Sequence, residues 1–224
     1  MLHVLGHMAW SYIFCKSAGR SLNITVPMYL ALLIGAIPDF DIYFFFAGSY
    51  HGTYTHSILT WFPVFITLLL IFRKRSIPYL IGISTHFLGD FLTNEIPFLL
   101  PILGTDFGLL LGNNDYYAPL LEIGALIVAT FIAYSNGDLR SSMQMRTKNM
   151  LSFIPLFVLI SLTLLFASEF NINIIQHGFK GLSLSLISIS HIILALFLTL
   201  SAFCGLYVVL SNKSAIKIRK GLIA

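Results

Sequence analysis

Apolar residues in this chain fall in long, nearly unbroken runs rather than in the spacing of an amphipathic surface helix. The runs cover residues 2–16, 25–47, 57–72, 77–94, 118–135, 150–168 and 183–210. Runs of this length predict helices of the kind that cross a bilayer. Pro38, Asp39 and Asp41 interrupt the second run. Pro27, Pro78 and Pro119 stand where a helix can begin without losing a needed donor. Residues 95–117 are rich in Gly, Asn and Pro yet still apolar, which predicts a re-entrant or surface-lying loop. The first helix has no basic residue before Lys16, and His3 and His7 break its apolar run, so it does not read as a cleaved leader. At 1.5 Å per residue it reaches only about 22 Å, so a full crossing is left open.

Composition sharpens the picture. Of the 224 residues, 57% are hydrophobic and only 10% are charged, whereas a soluble domain carries about a quarter charged. The deficit excludes disorder and argues against an ordinary soluble enzyme. The expected fold is an all-α polytopic membrane protein of six to seven transmembrane helices, with residues 1–224 forming one domain. Cys15 and Cys204 lie in apolar runs and imply neither a disulfide framework nor a Cys-based zinc site.

The net charge of +4 does not point to nucleic acid, because the basic residues are grouped by topology. They cluster at Lys16 and Arg20; at Arg73, Lys74 and Arg75; at Arg140, Arg146 and Lys148; and at Lys213, Lys217, Arg219 and Lys220. With seven spans all four clusters fall on one side. The opposite loops, 48–56, 95–117 and 169–182, hold only Lys180. The excess of Lys and Arg marks the cytoplasmic side. The C-terminus is therefore expected inside and the N-terminus outside.

This orientation carries His7, Asp39, Asp41, His51, His56, His86 and Asp90 to the outer face. Ionisable groups at membrane depth are costly and by default mark a functional site. His86 and Asp90 are four residues apart, so one helical face presents an imidazole and a carboxylate to the same point. Asp39 and Asp41 would point about 200° apart on a regular helix, and Pro38 favours a widened turn that brings both inward. Thr55 or Ser57 is expected to cap the third helix, or to orient a bound head group. A mixed set of His and Asp without Cys suits Zn²⁺, Mn²⁺ or Fe²⁺, and the surplus of ligands allows one or two ions. His3, His177 and His191 read as packed or peripheral histidines.

Five blocks follow in order: Gly6-His7; Ile37-Pro38-Asp39-Phe40-Asp41; His51-Gly52-Thr53-Tyr54-Thr55-His56-Ser57; Thr85-His86-Phe87-Leu88-Gly89-Asp90-Phe91-Leu92-Thr93; and Ile96-Pro97-Phe98-Leu99-Leu100-Pro101. Together they resemble the YdjM-type inner-membrane metal-dependent hydrolases over residues 1 to about 105. The resemblance implies a prokaryotic inner membrane protein. It implies His7, Asp39, Asp41, His56, His86 and Asp90 as metal-site residues, with His51 beside them. The chain departs from the family pattern at Gly52, where the family has Arg, at Thr53, where it has Gly, and at Ile42, where it has His. An arginine would clamp an anion, so its replacement by Gly52 bears on the substrate.

The function expected from these residues is metal-dependent hydrolysis. Metals would lower the pKa of a water to about 7, with Asp41 or Asp90 as general base and His51 as a further catalytic candidate. Outer-face placement suggests a lipid-like substrate carrying a phosphoester or pyrophosphate. A metal transporter is the alternative from another class, and a lipid amidase or esterase is a third.

Overall fold

A computed structural model describes residues 3–41, 54–109, 117–143, 154–168, 186 and 189–207. Its helices are α1 (Val4–Leu22), α2 (Met28–Ala36), α3 (Ile58–Phe72), α4 (Ile77–Thr93), α5 (Tyr117–Ser135), α6 (Asp138–Met143), α7 (Ile154–Ser168) and α8 (Ile189–Tyr207). Among the described residues the only strand-like pairing is the isolated bridge between Ile96 and Phe107. The fold is all-α.

Seven of these helices fall on the seven apolar runs, with changed bounds. The first helix continues past residue 16 to Leu22, because Lys16 is neutralised inside the bundle rather than left at a water boundary. Its ammonium lies 2.8 Å from Asp138 and 2.8 Å from the Val26 carbonyl. Asn23 ends the helix in the left-handed conformation, φ 54°, with its N–H turned back to the Arg20 carbonyl. At 19 residues α1 is about 28 Å long. The second helix is shorter than the predicted 25–47. Regular α-structure stops at Ala36, and residues 38–41 form a 3-10 turn, since Pro38 has no N–H to continue the ladder. Residues 42–47 lie outside the described set. The short helix α6 was not expected. The predicted loop after α4 is irregular at 94–109, with its bridge folding it back on itself.

Two helices, α5 and α8, are each long and apolar enough to cross a membrane by themselves. The seven-span count is not established by length, because α3 and α7 have 15 residues each and α2 has 9.

An apolar core of residues such as Leu5, Met8, Tyr12, Leu32 and Leu159 is joined by an unusually apolar exterior and by buried ionisable groups. Large apolar side chains face outward, among them Leu70, Ile71, Phe131, Leu196 and Phe203, and no residue of α3 is buried. The interior holds His7, Asp39, His56, His86, Asp90 and Glu122. Such a surface suits a hydrocarbon solvent.

Helix α1 is the central element, packed on α2, α4 and α5. Small residues let it approach α2 and α4 closely. A Cβ on Gly35 would stand 2.6 Å from Ser11 Cβ, and one on Gly82 would stand 2.6 Å from Ser11 Oγ. The Ser11 hydroxyl donates to the Ala31 carbonyl at 2.7 Å, and Cys15 Sγ reaches the Pro78 carbonyl at 3.1 Å. These pairs run α1 antiparallel to both partners. The start of α1, the end of α2, the start of α3 and the end of α4 therefore meet at one end of the bundle. At the other end Tyr12 and Lys16 both grip Asp138, tying α1 to α6.

Candidate metal centre

Four elements deliver the site. His7 sits one turn into α1. Asp39 and Asp41 stand in the 3-10 turn after α2. Thr55 and His56 close a 3-10 turn before α3. His86 and Asp90 share one face of α4, as their spacing predicts, with His86 Nε2 3.3 Å from Asp90 Oδ2.

Four donor atoms converge. His86 Nε2 lies 3.2 Å from His56 Nε2 and 3.6 Å from Asp39 Oδ1. His56 Nε2 lies 3.3 Å from Asp39 Oδ1 and 3.4 Å from Asp90 Oδ2. Ligands on one tetrahedral zinc, with bonds of 2.0–2.1 Å, stand about 3.3 Å apart. Asp39, His56 and His86 have the spacing of donors around a single ion, and Asp90 Oδ2 stands at a similar distance from both histidines. Asp39, His56, His86 and Asp90 are all buried, the last three with no exposed surface.

The hydrogen bonds behind the two imidazoles assign one tautomer to each neutral ring. His86 Nδ1 must donate to the Gly35 carbonyl, 2.7 Å away, because a carbonyl only accepts. His86 Nε2 is then a lone pair. Thr55 Oγ donates its one proton to Asp41 Oδ2 at 2.6 Å, so at 3.1 Å from His56 Nδ1 it can only accept. His56 Nε2 is therefore also a lone pair. Two imidazole lone pairs facing each other at 3.2 Å, flanked by two carboxylates, repel unless a cation lies between them. Outer partners of this type orient metal-bound histidines.

His7 adds a second edge. Its ring stacks on His86, centroids 3.7 Å apart, and its Nε2 is 3.2 Å from Asp90 Oδ1. Neither Asp90 oxygen receives a conventional hydrogen bond among the described residues, and neither does either His7 ring nitrogen find a partner of that kind. A carboxylate buried among imidazoles alone is costly unless a positive charge joins it, which fits a carboxylate meant for a cation. His7, His86 and Asp90 form one possible ligand group, and Asp39, His56 and His86 another.

Asp41 is placed differently from the other expected ligands. Its Oδ2 is 3.9 Å from His56 Nδ1, on the far side of that ring from the converging donors. His51, Gly52 and Thr53 lie outside the described residues, as do Ile42 and His177. The expected capping by Thr55 or Ser57 is absent. Ser57 is the N-cap residue of α3 but makes no side-chain cap bond; its hydroxyl turns to the Leu100 carbonyl at 2.6 Å. With Thr55 bound to Asp41, both hydroxyls are held inside the protein rather than offered to a head group.

A model of the YdjM inner membrane proteins matches residues 1–175. The chain belongs to the YdjM inner membrane protein family. The YdjM match contains His7, Asp39, Asp41, His56, His86 and Asp90 and extends well beyond the five sequence blocks. No curated protein and no solved structure matches the chain.

Within the YdjM-matched region one buried acid escaped the sequence reading. Glu122 lies in α5 at 1% exposure and binds His3 Nδ1 at 2.8 Å and the Gly6 N–H at 3.1 Å. Its signal was available: a carboxylate inside the apolar run 118–135 obeys the same rule that singled out Asp39 and Asp90.

Proposed function

We propose that this YdjM family member is a membrane-embedded, metal-dependent hydrolase acting on a phosphoester or pyrophosphate lipid. The observation that carries the reading is the convergence of two imidazole lone pairs and two buried carboxylates at ligand spacing.

Asp39, His56, His86 and Asp90 would hold a divalent ion. Such an ion supplies a Lewis acid for a phosphoryl oxygen and acidifies a water. Four protein donors already complete a tetrahedral ion. Turnover thus calls for an ion that accepts five or six ligands, such as Mn²⁺ or Fe²⁺, or for a second ion held by His7 and Asp90 Oδ1. Asp41 stands outside the donor set and is the carboxylate left to accept a proton. It is also the most exposed member, at 8%. With half-buried Thr55 it marks the side from which a head group would approach.

A hydrocarbon-bearing substrate is supported by an apolar groove along α4, the helix that carries His86 and Asp90. This groove, about 520 Å³, is lined by Ile58, Ser84, Phe87, Leu88, Phe91 and Phe98 among others. Ser84, Phe87, Leu88 and Phe91 place the groove on a face of α4 adjacent to the one that carries His86 and Asp90.

The outward apolar helix faces and the four basic clusters support seven spans, a cytoplasmic C-terminus and a site near the outer face. The test is hydrolysis of a bacterial lipid extract by purified protein, followed by mass spectrometry. Loss of phosphoester lipids, stopped by chelator and restored by Zn²⁺ or Mn²⁺, is expected. Cleavage of amide or acyl lipids alone would make the chain a lipid amidase or esterase. Metal passage into vesicles without any lipid turnover would make it a transporter.

A further inference from the structure

Helix α1 begins without a cap of its own. His3 occupies the N-cap position and makes no side-chain cap bond. The first N–H groups of a helix lack the regular i−4 partner. Here the Gly6 N–H is shared between the His3 carbonyl at 2.8 Å and a carboxylate of another helix. Glu122 of α5 accepts from the Gly6 N–H at 3.1 Å, lies 3.4 Å from the His3 N–H, and meets His3 Nδ1 at 2.8 Å. The carboxylate also sits at the positive end of the helix dipole.

Gly6 makes this approach possible. A Cβ at position 6 would stand 3.0 Å from Glu122 Cγ, 3.2 Å from its carboxyl carbon and 3.4 Å from Oε1. The glycine of the Gly6-His7 block thus has a partner, and that partner lies 116 residues away in sequence. The next residue is His7. Its N–H closes the first turn on the His3 carbonyl at 3.2 Å, and its ring stacks on His86 beside Asp90 Oδ1. The helix start that Glu122 holds is the one that carries His7.

We propose that Glu122 is a positioning residue of the metal centre: by clamping the first turn of α1 at Gly6 and His3, it sets His7 against Asp90 and His86. The inference rests on the metal-site reading above. It separates Glu122 from a plain helix cap, whose loss would lower stability and leave metal binding by the folded protein unchanged.

The test uses the full-length, detergent-solubilised protein and Co²⁺ as probe. Affinity is read by chelator competition, ligand geometry from the cobalt d–d spectrum, and folding from thermal unfolding. Glu122→Ala is expected to weaken cobalt binding about tenfold, the lower range for partners that orient ligands, and to shift the spectrum in the direction that His7→Ala shifts it. Gly6→Ala, which pushes the carboxylate away, should reproduce the effect. Adding it to Glu122→Ala should do little more. Glu122→Gln should restore most of the affinity, because its amide oxygen still accepts from Gly6. Should Glu122→Ala not fold, Glu122→Asp, one methylene too short to reach, carries the same expectation. A Glu122→Ala protein that melts earlier but keeps the native affinity and spectrum overturns the proposal. A native protein that binds neither cobalt nor zinc overturns the metal-site reading, and this inference with it.

Discussion

Thr55→Val replaces the hydroxyl that links His56 to Asp41 with a methyl group of nearly the same size. No cavity is created, and the converging donors are untouched. In the native protein the hydroxyl accepts from His56 Nδ1–H at 3.1 Å and donates to Asp41 at 2.6 Å. With valine the Nδ1–H loses the Thr55 acceptor in the metal-bound form, and Asp41 Oδ2 at 3.9 Å is too far to replace it without moving. In the metal-free form the imidazole can move its proton to Nε2, where Asp39 and Asp90 oxygens stand at 3.3 and 3.4 Å. The cost therefore falls on the bound form alone. Loss of a hydrogen bond by a buried donor costs about 1–3 kcal/mol. At 1.4 kcal/mol per factor of ten, metal affinity should fall about 10- to 100-fold. Chelator-competition titration of zinc against purified Thr55→Val measures it, with Thr55→Ser expected within a few-fold of native. Native affinity in Thr55→Val would refute the tautomer argument and the role given to Asp41 behind His56.

Asp41→Asn keeps an oxygen for the Thr55 hydroxyl, so metal content should hold while lipid turnover falls by about 10²–10⁴, the range for a lost general base; loss of the metal instead would make Asp41 a ligand. A cysteine at Asp106 should react with an impermeant thiol reagent in intact cells, whereas one at Lys74 should not. Labelling at Lys74 alone would reverse the topology. Gly82→Ala forces a methyl against Cys15 and Ser11 at the α1–α4 crossing. Overpacking of this kind costs about 1–3 kcal/mol, and the thermal midpoint should drop by about 5 °C; an unchanged midpoint would show that the crossing has slack.

The helices were legible because their signal is local. Apolar runs gave the places of α3, α4 and α5 to within a residue or so. The end of α1 was misjudged because Lys16 looks like a boundary in sequence and is paired in space. Its partner, Asp138, lies in a short helix that no local pattern marked. The site was legible for a related reason. His7, Asp39, His56, His86 and Asp90 are conspicuous in an apolar chain, and alternating helix direction brings them to one end. Their individual roles were not legible. Asp39 and Asp41 look equivalent in the sequence, yet the 3-10 turn sends one to the donors and the other behind His56. Thr55 and Ser57 looked like caps or head-group contacts, and each is instead used up by a neighbour. The carbonyl of Gly35 carries no sequence signal as a hydrogen-bond acceptor. Only the packing of α2 on α1 and α4 sets it against His86.

Elemental analysis of the purified protein bears most directly on the central claim. One or two equivalents of zinc, manganese or iron are expected in the native protein. His86→Ala and Asp90→Ala should each lower that content, with the double variant little lower still, and His191→Ala should leave it alone. A native protein that stays metal-free after purification in metal-replete buffer, or equal loss from His191→Ala, would contradict the account.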